Sequence, residues 1–311
     1  MNLLKKILTV IIVAVIFYFL IVNLIQNWQK IPFSSLRLNA ANLAISFVFL
    51  FVNFGIFVQG WRALIHRLGH RISFGNALWI ISSSQIAKYI PGGIWFAVGR
   101  VYLGKSEKIR GEVVAFSVVV ETGLTFLAGI LLVLLSFGVI GQKILGNFLF
   151  IVPAFFLFLI ALYPPFLSRL MNIALRIIKR PAVELNISYS SILVLSIYFL
   201  GLWVAQVIGF YFLINAIYPI PISKIFDLTV VYILSWMTGF VVIFAPGGLG
   251  VREGMMTLLL SPMLPAPLAI AISFIARVWM TLFEIAVFLA GLLVRKLNKK
   301  KITGDTFLTI C

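Results

Sequence analysis

A chain of 311 residues that is 62% hydrophobic and only 11% charged, with 29 Phe and a mean hydropathy of +1.15, does not read as a soluble domain, whose surface needs roughly a quarter of its residues charged. Its net charge of +17 sits in short loops between apolar runs, with no basic face interleaved with base-stacking aromatics. That pattern argues against nucleic acid and matches the Lys and Arg excess of cytoplasmic loops in membrane proteins.

A criterion of about 20 apolar residues per crossing predicts full spans near 7–25, 40–60, 113–138, 147–164, 190–217 and 267–293. The first begins like a secretory signal, after Lys5-Lys6, but its apolar run exceeds a signal core and no small-x-small cleavage site follows. It is therefore expected to remain as a helix. Two further apolar segments, 77–104 and 226–263, are each cut by the same triplet: Pro91-Gly92-Gly93 in AKYIPGGIWFAVGR and Pro246-Gly247-Gly248 in VIFAPGGLGVREG. In hydrocarbon an unpaired backbone N–H or C=O costs several kcal/mol, so irregular backbone at membrane depth is tolerated only beside protein or a water-filled cavity. Matching interruptions in two halves of a chain point to a transporter's binding site.

Loop charge sets the expected topology. Lys5-Lys6 and the run Arg295, Lys296, Lys299, Lys300, Lys301 place both termini in the cytoplasm, as do the basic loops 62–71, 100–110 and 169–180 for their own positions. The poorer loops around Lys30 and Arg37, Lys143 and Lys224 fall outside. Segment 77–104 then enters and leaves on the cytoplasmic face, and segment 226–263 on the opposite one. An eight-crossing arrangement with the same termini is the alternative; the shortness of 249–263, which carries Arg252 and Glu253, favours re-entrance. The expected fold is an all-α polytopic membrane protein, with six full spans plus two Pro-Gly-Gly-broken segments. Its single transmembrane domain, 1–301, contains an inverted-topology repeat (about 40–138 and 190–293), followed by a short cytoplasmic tail, 302–311.

Three of the eight carboxylates, Glu121, Glu253 and Glu284, lie inside or at the edge of membrane segments. An ionisable residue at helix centre costs about 2.5–3.5 kcal/mol on insertion scales and usually faces a partner or a cavity. Arg277, Thr281 and Glu284 share one helix face by their i, i+4, i+7 spacing, as do Glu121 and Thr125. On a structural reading, Glu121 and Glu284 neutralise Arg100, Arg252 or Arg277 and lock helices together. On a functional reading, Lys88, Arg100, Arg252 and Arg277 face an anionic headgroup in an interior cavity, and the glutamates set its field. A half-helix restarting after Pro-Gly-Gly offers free N–H groups and a positive dipole end, although Gly-Gly also forms ordinary C-caps. The expected binding set is Lys88, Pro91, Gly92, Gly93, Arg100, Pro246, Gly247, Gly248, Gly250, Arg252 and Glu253, with Glu121, Arg277 and Glu284 as coupled intramembrane charges.

Other patterns point to architecture. His66 and His70 lie at i and i+4 but lack an HExxH pattern and sit among Arg62, Arg67 and Arg71, which argues against metal. Gly248 to Gly254 has the wrong spacing for a dinucleotide loop and reads as close packing or ligand approach. Gly201, Ala205 and Gly209 form a small-residue face suited to close helix approach. Ser82, Ser83 and Ser84 are expected to satisfy the backbone of the first half-helix. No cofactor or metal is expected.

Taken together, SSSQIAKYIPGGIWFAVGR and FAPGGLGVREG, in that order in a basic chain of this length, resemble the lysylphosphatidylglycerol synthase transmembrane family, the flippase-like domain. The most specific piece is Pro-Gly-Gly-x-Gly-x-Arg-Glu at 246–253, supported by Tyr89-x-Pro91-Gly92-Gly93 and Arg100. The resemblance implies a flippase-like protein of the prokaryotic cytoplasmic membrane. In multidomain relatives this domain moves aminoacylated phosphatidylglycerol beside a soluble synthase domain. Ten residues follow Lys301 here, so a stand-alone member is expected, and a polyprenyl-phosphate-linked or other anionic lipid is an open alternative. The implied partners are that lipid, envelope-biosynthesis enzymes and a second copy of the chain in a homodimer. An integral-membrane transferase using Glu253 or Glu121 as general base, or a non-catalytic subunit of a biosynthetic complex, are the competing readings.

Overall fold

The structure, a computed structural model, describes residues 37–90, 93–140, 188–242 and 245–308, with single positions at 22 and between 153 and 176. The expected spans 7–25 and 147–164 lie largely outside the described residues, and Pro91 and Gly92 lie wholly outside them. The remaining four expected spans are helices: α1 (Ala40–Arg67), α4 (Gly111–Ile140), α5 (Tyr189–Ile217) and α8 (Ala266–Leu308). Between them come α2 (Phe74–Gln85), α3 (Trp95–Ser106), α6 (Ile225–Val241) and α7 (Val251–Leu260). Five segments are long and apolar enough to cross a membrane, the fifth being Ile222–Val241. No strand occurs among the described residues, and the chain is an all-α polytopic membrane protein.

Helix starts follow local chemistry. The side chains of Asn39, Ser73 and Ser188 accept from the backbone N–H groups of Asn42, Asn76 and Ser191 at the starts of α1, α2 and α5, which satisfies donors that a helix N-terminus leaves open. The long α1 and α5 then pack along each other. The small-residue face makes this approach feasible: a Cβ on Gly209 would lie 3.2 Å from both the Phe49 Cβ and the Ser46 carbonyl oxygen. Asn53 Nδ2 donates to the Leu202 carbonyl at 2.7 Å and Asn42 Nδ2 to that of Asn215 at 3.2 Å, fixing the register of the pair.

Each Pro-Gly-Gly segment folds as helix, break, helix. The 12 residues of α2 and of α3 make helices about 18 Å long, well short of a hydrocarbon core of about 30 Å. A 3₁₀ turn, Ile86–Tyr89, ends the first of them, and α2 and α3 pack against each other. In the second segment the 17-residue α6 and the 10-residue α7 pack together around a 3₁₀ turn at Pro246–Gly248. Ser82 and Ser84 donate to the carbonyls of Trp79 and Ile81, in line with the role expected for the three serines, whereas the buried Ser83 hydroxyl has no hydrogen-bond partner among the described residues. Close packing also explains Gly248, where a Cβ would sit 2.9 Å from the Gly239 Cα and the backbone has φ 71°.

Two apolar clusters hold these units. One, with Trp203, Phe210, Tyr232 and Phe283, lies among α1, α4, α5, α6, α7 and α8; the other, with Trp61, Ile80, Ile81 and Val114, packs the first broken segment against α1 and α4. Two buried indoles find acceptors, Trp61 Nε1 at the Ser117 hydroxyl (2.9 Å) and Trp203 Nε1 at the Thr125 carbonyl (2.8 Å), whereas the buried Trp279 Nε1 has none among the described residues. The consequence for function is that the two breaks meet. A Cβ on Gly247 would fall 3.3 Å from the ring of Tyr89, the last residue of the first 3₁₀ turn.

Candidate functional site

Where the breaks meet, a cavity of about 220 Å³ opens in the interior, with walls from every described helix unit. The first break contributes Lys88 and Gly93, the second Gly247 and Gly248, and α7 contributes Arg252. Glu121 from α4 and Glu284 from α8 complete its charged lining.

The interior charges are organised as pairs. Arg100 is fully buried; its Nη1 donates to Glu121 Oε2 and its Nε to the Ser84 hydroxyl at 3.4 Å, and the guanidinium lies over Phe57 and Trp61. Lys88 Nζ donates to Glu284 Oε1, and the Tyr89 hydroxyl donates to Glu284 Oε2 at 2.8 Å. Arg277 Nη1 donates to the Gly247 carbonyl at 3.0 Å, and its Nε lies 3.6 Å from Glu253 Oε1. The same guanidinium stands 5.5 Å from the centre of the Tyr89 ring, so one side chain touches both breaks. Low-dielectric surroundings make such pairing necessary, because an unpaired buried charge is strongly destabilising.

Arg252 differs. Its Nη2 donates to the Tyr232 hydroxyl at 2.6 Å, with the guanidinium carbon 5.1 Å from the centre of the same ring. Gln206 Nε2 donates to that hydroxyl as well, at 2.9 Å. Among the described residues no carboxylate lies within 4.0 Å of Arg252, which leaves it a cation on the cavity wall with a neutral partner.

The expected set is thus divided. Lys88, Gly93, Gly247, Gly248, Arg252, Glu121 and Glu284 line the cavity, whereas Arg100, Arg277 and Glu253 do not. Arg100 holds Glu121 in place; Arg277 and Glu253 brace the second break. Pro246 and Gly250 shape that break without lining the cavity.

One expectation is corrected. The N-terminus of α7 does not present all its N–H groups freely, because Glu253 Oε2 accepts from the Gly250 N–H at 2.6 Å; the glutamate three residues inside the helix reaches back to cap its own start. Along the shared face of Arg277, Thr281 and Glu284, Thr281 Oγ1 donates to the Arg277 carbonyl, Glu284 reaches across to Lys88 and Tyr89, and the Arg277 guanidinium lies over the same Tyr89 ring.

Tyr232 and Gln206 escape the sequence reading, and Tyr89 enters it only as part of the Tyr89-x-Pro91-Gly92-Gly93 motif. Gln206 carried a signal, being an amide within an apolar run, as did Asn53 and Gln85, which also line the cavity. Tyr232 carried none, since one tyrosine in a span is common. His66 Nε2 lies 3.3 Å from both the backbone N and O of Ile72, a local link. Among the described residues no group of three metal-ligating side chains occurs.

This arrangement can receive an anion beside Arg252 in a mostly apolar cavity that carries a few charged and polar side chains. No curated protein matches the chain. Residues 6–287, a stretch that includes both broken segments and the whole cavity, match the family model of the lysylphosphatidylglycerol synthase TM region, and the chain belongs to that family.

Proposed function

We propose that this protein moves a lipid with an anionic, phosphate-bearing headgroup between the leaflets of a prokaryotic cytoplasmic membrane. The observation that carries the reading is Arg252: a cation on the wall of an interior cavity, bonded to a neutral tyrosine, with no carboxylate beside it among the described residues. An intramembrane ionisable group is expensive, and its retention marks a substrate path. Family membership supports a role with membrane lipids. The three interior glutamates support transport over general-base chemistry, since each already accepts from a cation or a backbone N–H.

In the proposed mechanism the broken segments are re-entrant hairpins of an inverted repeat, entering from opposite faces and meeting at the cavity. The headgroup crosses within the cavity while its acyl chains stay in lipid. Alternating exposure follows from movement of one hairpin unit against the other, with Arg277 and Tyr89 at the contact between them.

The test is reconstitution into phosphatidylcholine vesicles with a labelled anionic phospholipid. The wild-type chain should move the label between leaflets faster than protein-free vesicles do, and Arg252→Ala should lose that activity while remaining folded by circular dichroism. Full translocation by the variant contradicts the proposal.

A further inference from the structure

The charge inventory of the cavity and its surroundings leads beyond anionic lipids in general to one class of headgroup, and this step rests on the translocation reading above. Four cations stand in or beside the cavity: Lys88, Arg100, Arg252 and Arg277. Three of them face a glutamate, Lys88 with Glu284, Arg100 with Glu121 and Arg277 with Glu253. Among the described residues the uncompensated charge is therefore a single positive one, at Arg252.

We infer that the site is matched to a headgroup of one net negative charge, a phosphodiester, and discriminates against phosphomonoesters, diphosphates and cationic aminoacylated headgroups. The reason is charge matching in a cavity whose lining is mostly apolar. A phosphodiester monoanion beside Arg252 leaves the chamber neutral. A phosphomonoester carries about 1.5–2 negative charges near neutral pH, and a diphosphate more. To meet the additional charge either ligand must take a cation from its glutamate, and the glutamate released is then itself a buried unpaired anion. A cationic headgroup adds to the charge at Arg252 instead of cancelling it.

Local hydrogen bonding supports the same ligand. Arg252 has five N–H donors in a planar fork, and among the described residues its hydrogen bond goes from Nη2 to Tyr232. The other donors suit two oxygens of one phosphate. The Tyr232 hydroxyl accepts from both Arg252 and Gln206, with the Gln206 amide oriented as it is here, so its own proton is left to donate to a third oxygen. Arg252, Tyr232 and Gln206 all line the cavity.

The experiment compares three labelled lipids in phosphatidylcholine vesicles containing the full chain: phosphatidylglycerol, phosphatidic acid and lysylphosphatidylglycerol. Transbilayer movement and direct binding, by quenching of intrinsic tryptophan fluorescence in mixed micelles, are both read. Phosphatidylglycerol should bind and move about tenfold or more in preference to the other two, the discrimination expected where a buried charge goes unmatched. Glu284→Gln frees Lys88, raises the uncompensated charge from one to two, and should shift preference toward phosphatidic acid; Arg295→Gln, at a cation that does not line the cavity, should not. Equal movement of all three lipids, or preference for phosphatidic acid or lysylphosphatidylglycerol by the wild type, overturns the charge match and leaves translocation standing. Movement of none of them overturns translocation, and the binding series then decides the charge match by itself: selective binding of phosphatidylglycerol upholds it, and equal binding overturns it.

Discussion

Lys88 and Glu284 stand 196 positions apart in the chain and form one ion pair, which ties the 3₁₀ turn of the first break to the middle of α8. Tyr89 adds a second bond from the same turn to the same carboxylate. The side chain of Glu284 is 8% exposed and that of Lys88 26%, so the pair sits at the boundary between packed protein and cavity.

That position predicts energetic coupling. Lys88→Met and Glu284→Gln should each lower thermal stability in detergent, and the double variant should recover part of the loss. The expected coupling energy is about 0.5–3 kcal/mol, the range for residues in direct contact. Strict additivity across the four proteins contradicts a working pair.

Arg100 and Glu121 make a stronger case because both side chains are almost fully enclosed. Removing one partner leaves an uncompensated buried charge, so Arg100→Leu or Glu121→Leu should destabilise by about 3–5 kcal/mol, whereas Arg100→Met with Glu121→Leu together should cost much less. Chemical denaturation of the four proteins measures this. A single variant as stable as the wild type contradicts a closed pair.

The second break makes a steric prediction. Gly248→Ala places a methyl carbon 2.9 Å from the Gly239 backbone at a positive φ, and overpacking of this kind costs about 1–3 kcal/mol. Gly55→Ala, in the middle of α1 with nothing within 4 Å of the added carbon, is the control and should be neutral or stabilising by about 0.5–1 kcal/mol, since alanine is the better helix residue. Equal melting temperatures for the two variants contradict the close approach of the break to α6.

The breaks and the three glutamates were legible in the sequence for one physical reason: an apolar run hides neither a helix-breaking triplet nor a carboxylate, and each of these needs a partner in hydrocarbon. The small-residue face of Gly201, Ala205 and Gly209 was legible in the same way, by spacing on one helix. The choice of partner was not. Whether Glu284 meets Arg277, Arg252 or Lys88 depends on how α8 is rotated against α2, and helical periodicity in one segment says nothing about rotation relative to another. Tyr232 is the clearest case, since its role comes wholly from Gln206 and Arg252, which approach it from two other helices.

The central claim is that an anionic headgroup passes the cavity at Arg252. It is tested most directly by the rate at which a labelled phosphatidylglycerol moves between leaflets in vesicles carrying wild type, Arg252→Gln or Arg295→Gln. Arg295 is a cation stacked 3.9 Å from the ring centre of Trp79 and does not line the cavity. Loss of movement in Arg252→Gln with wild-type rates in Arg295→Gln is the predicted result; equal rates in all three proteins contradict it.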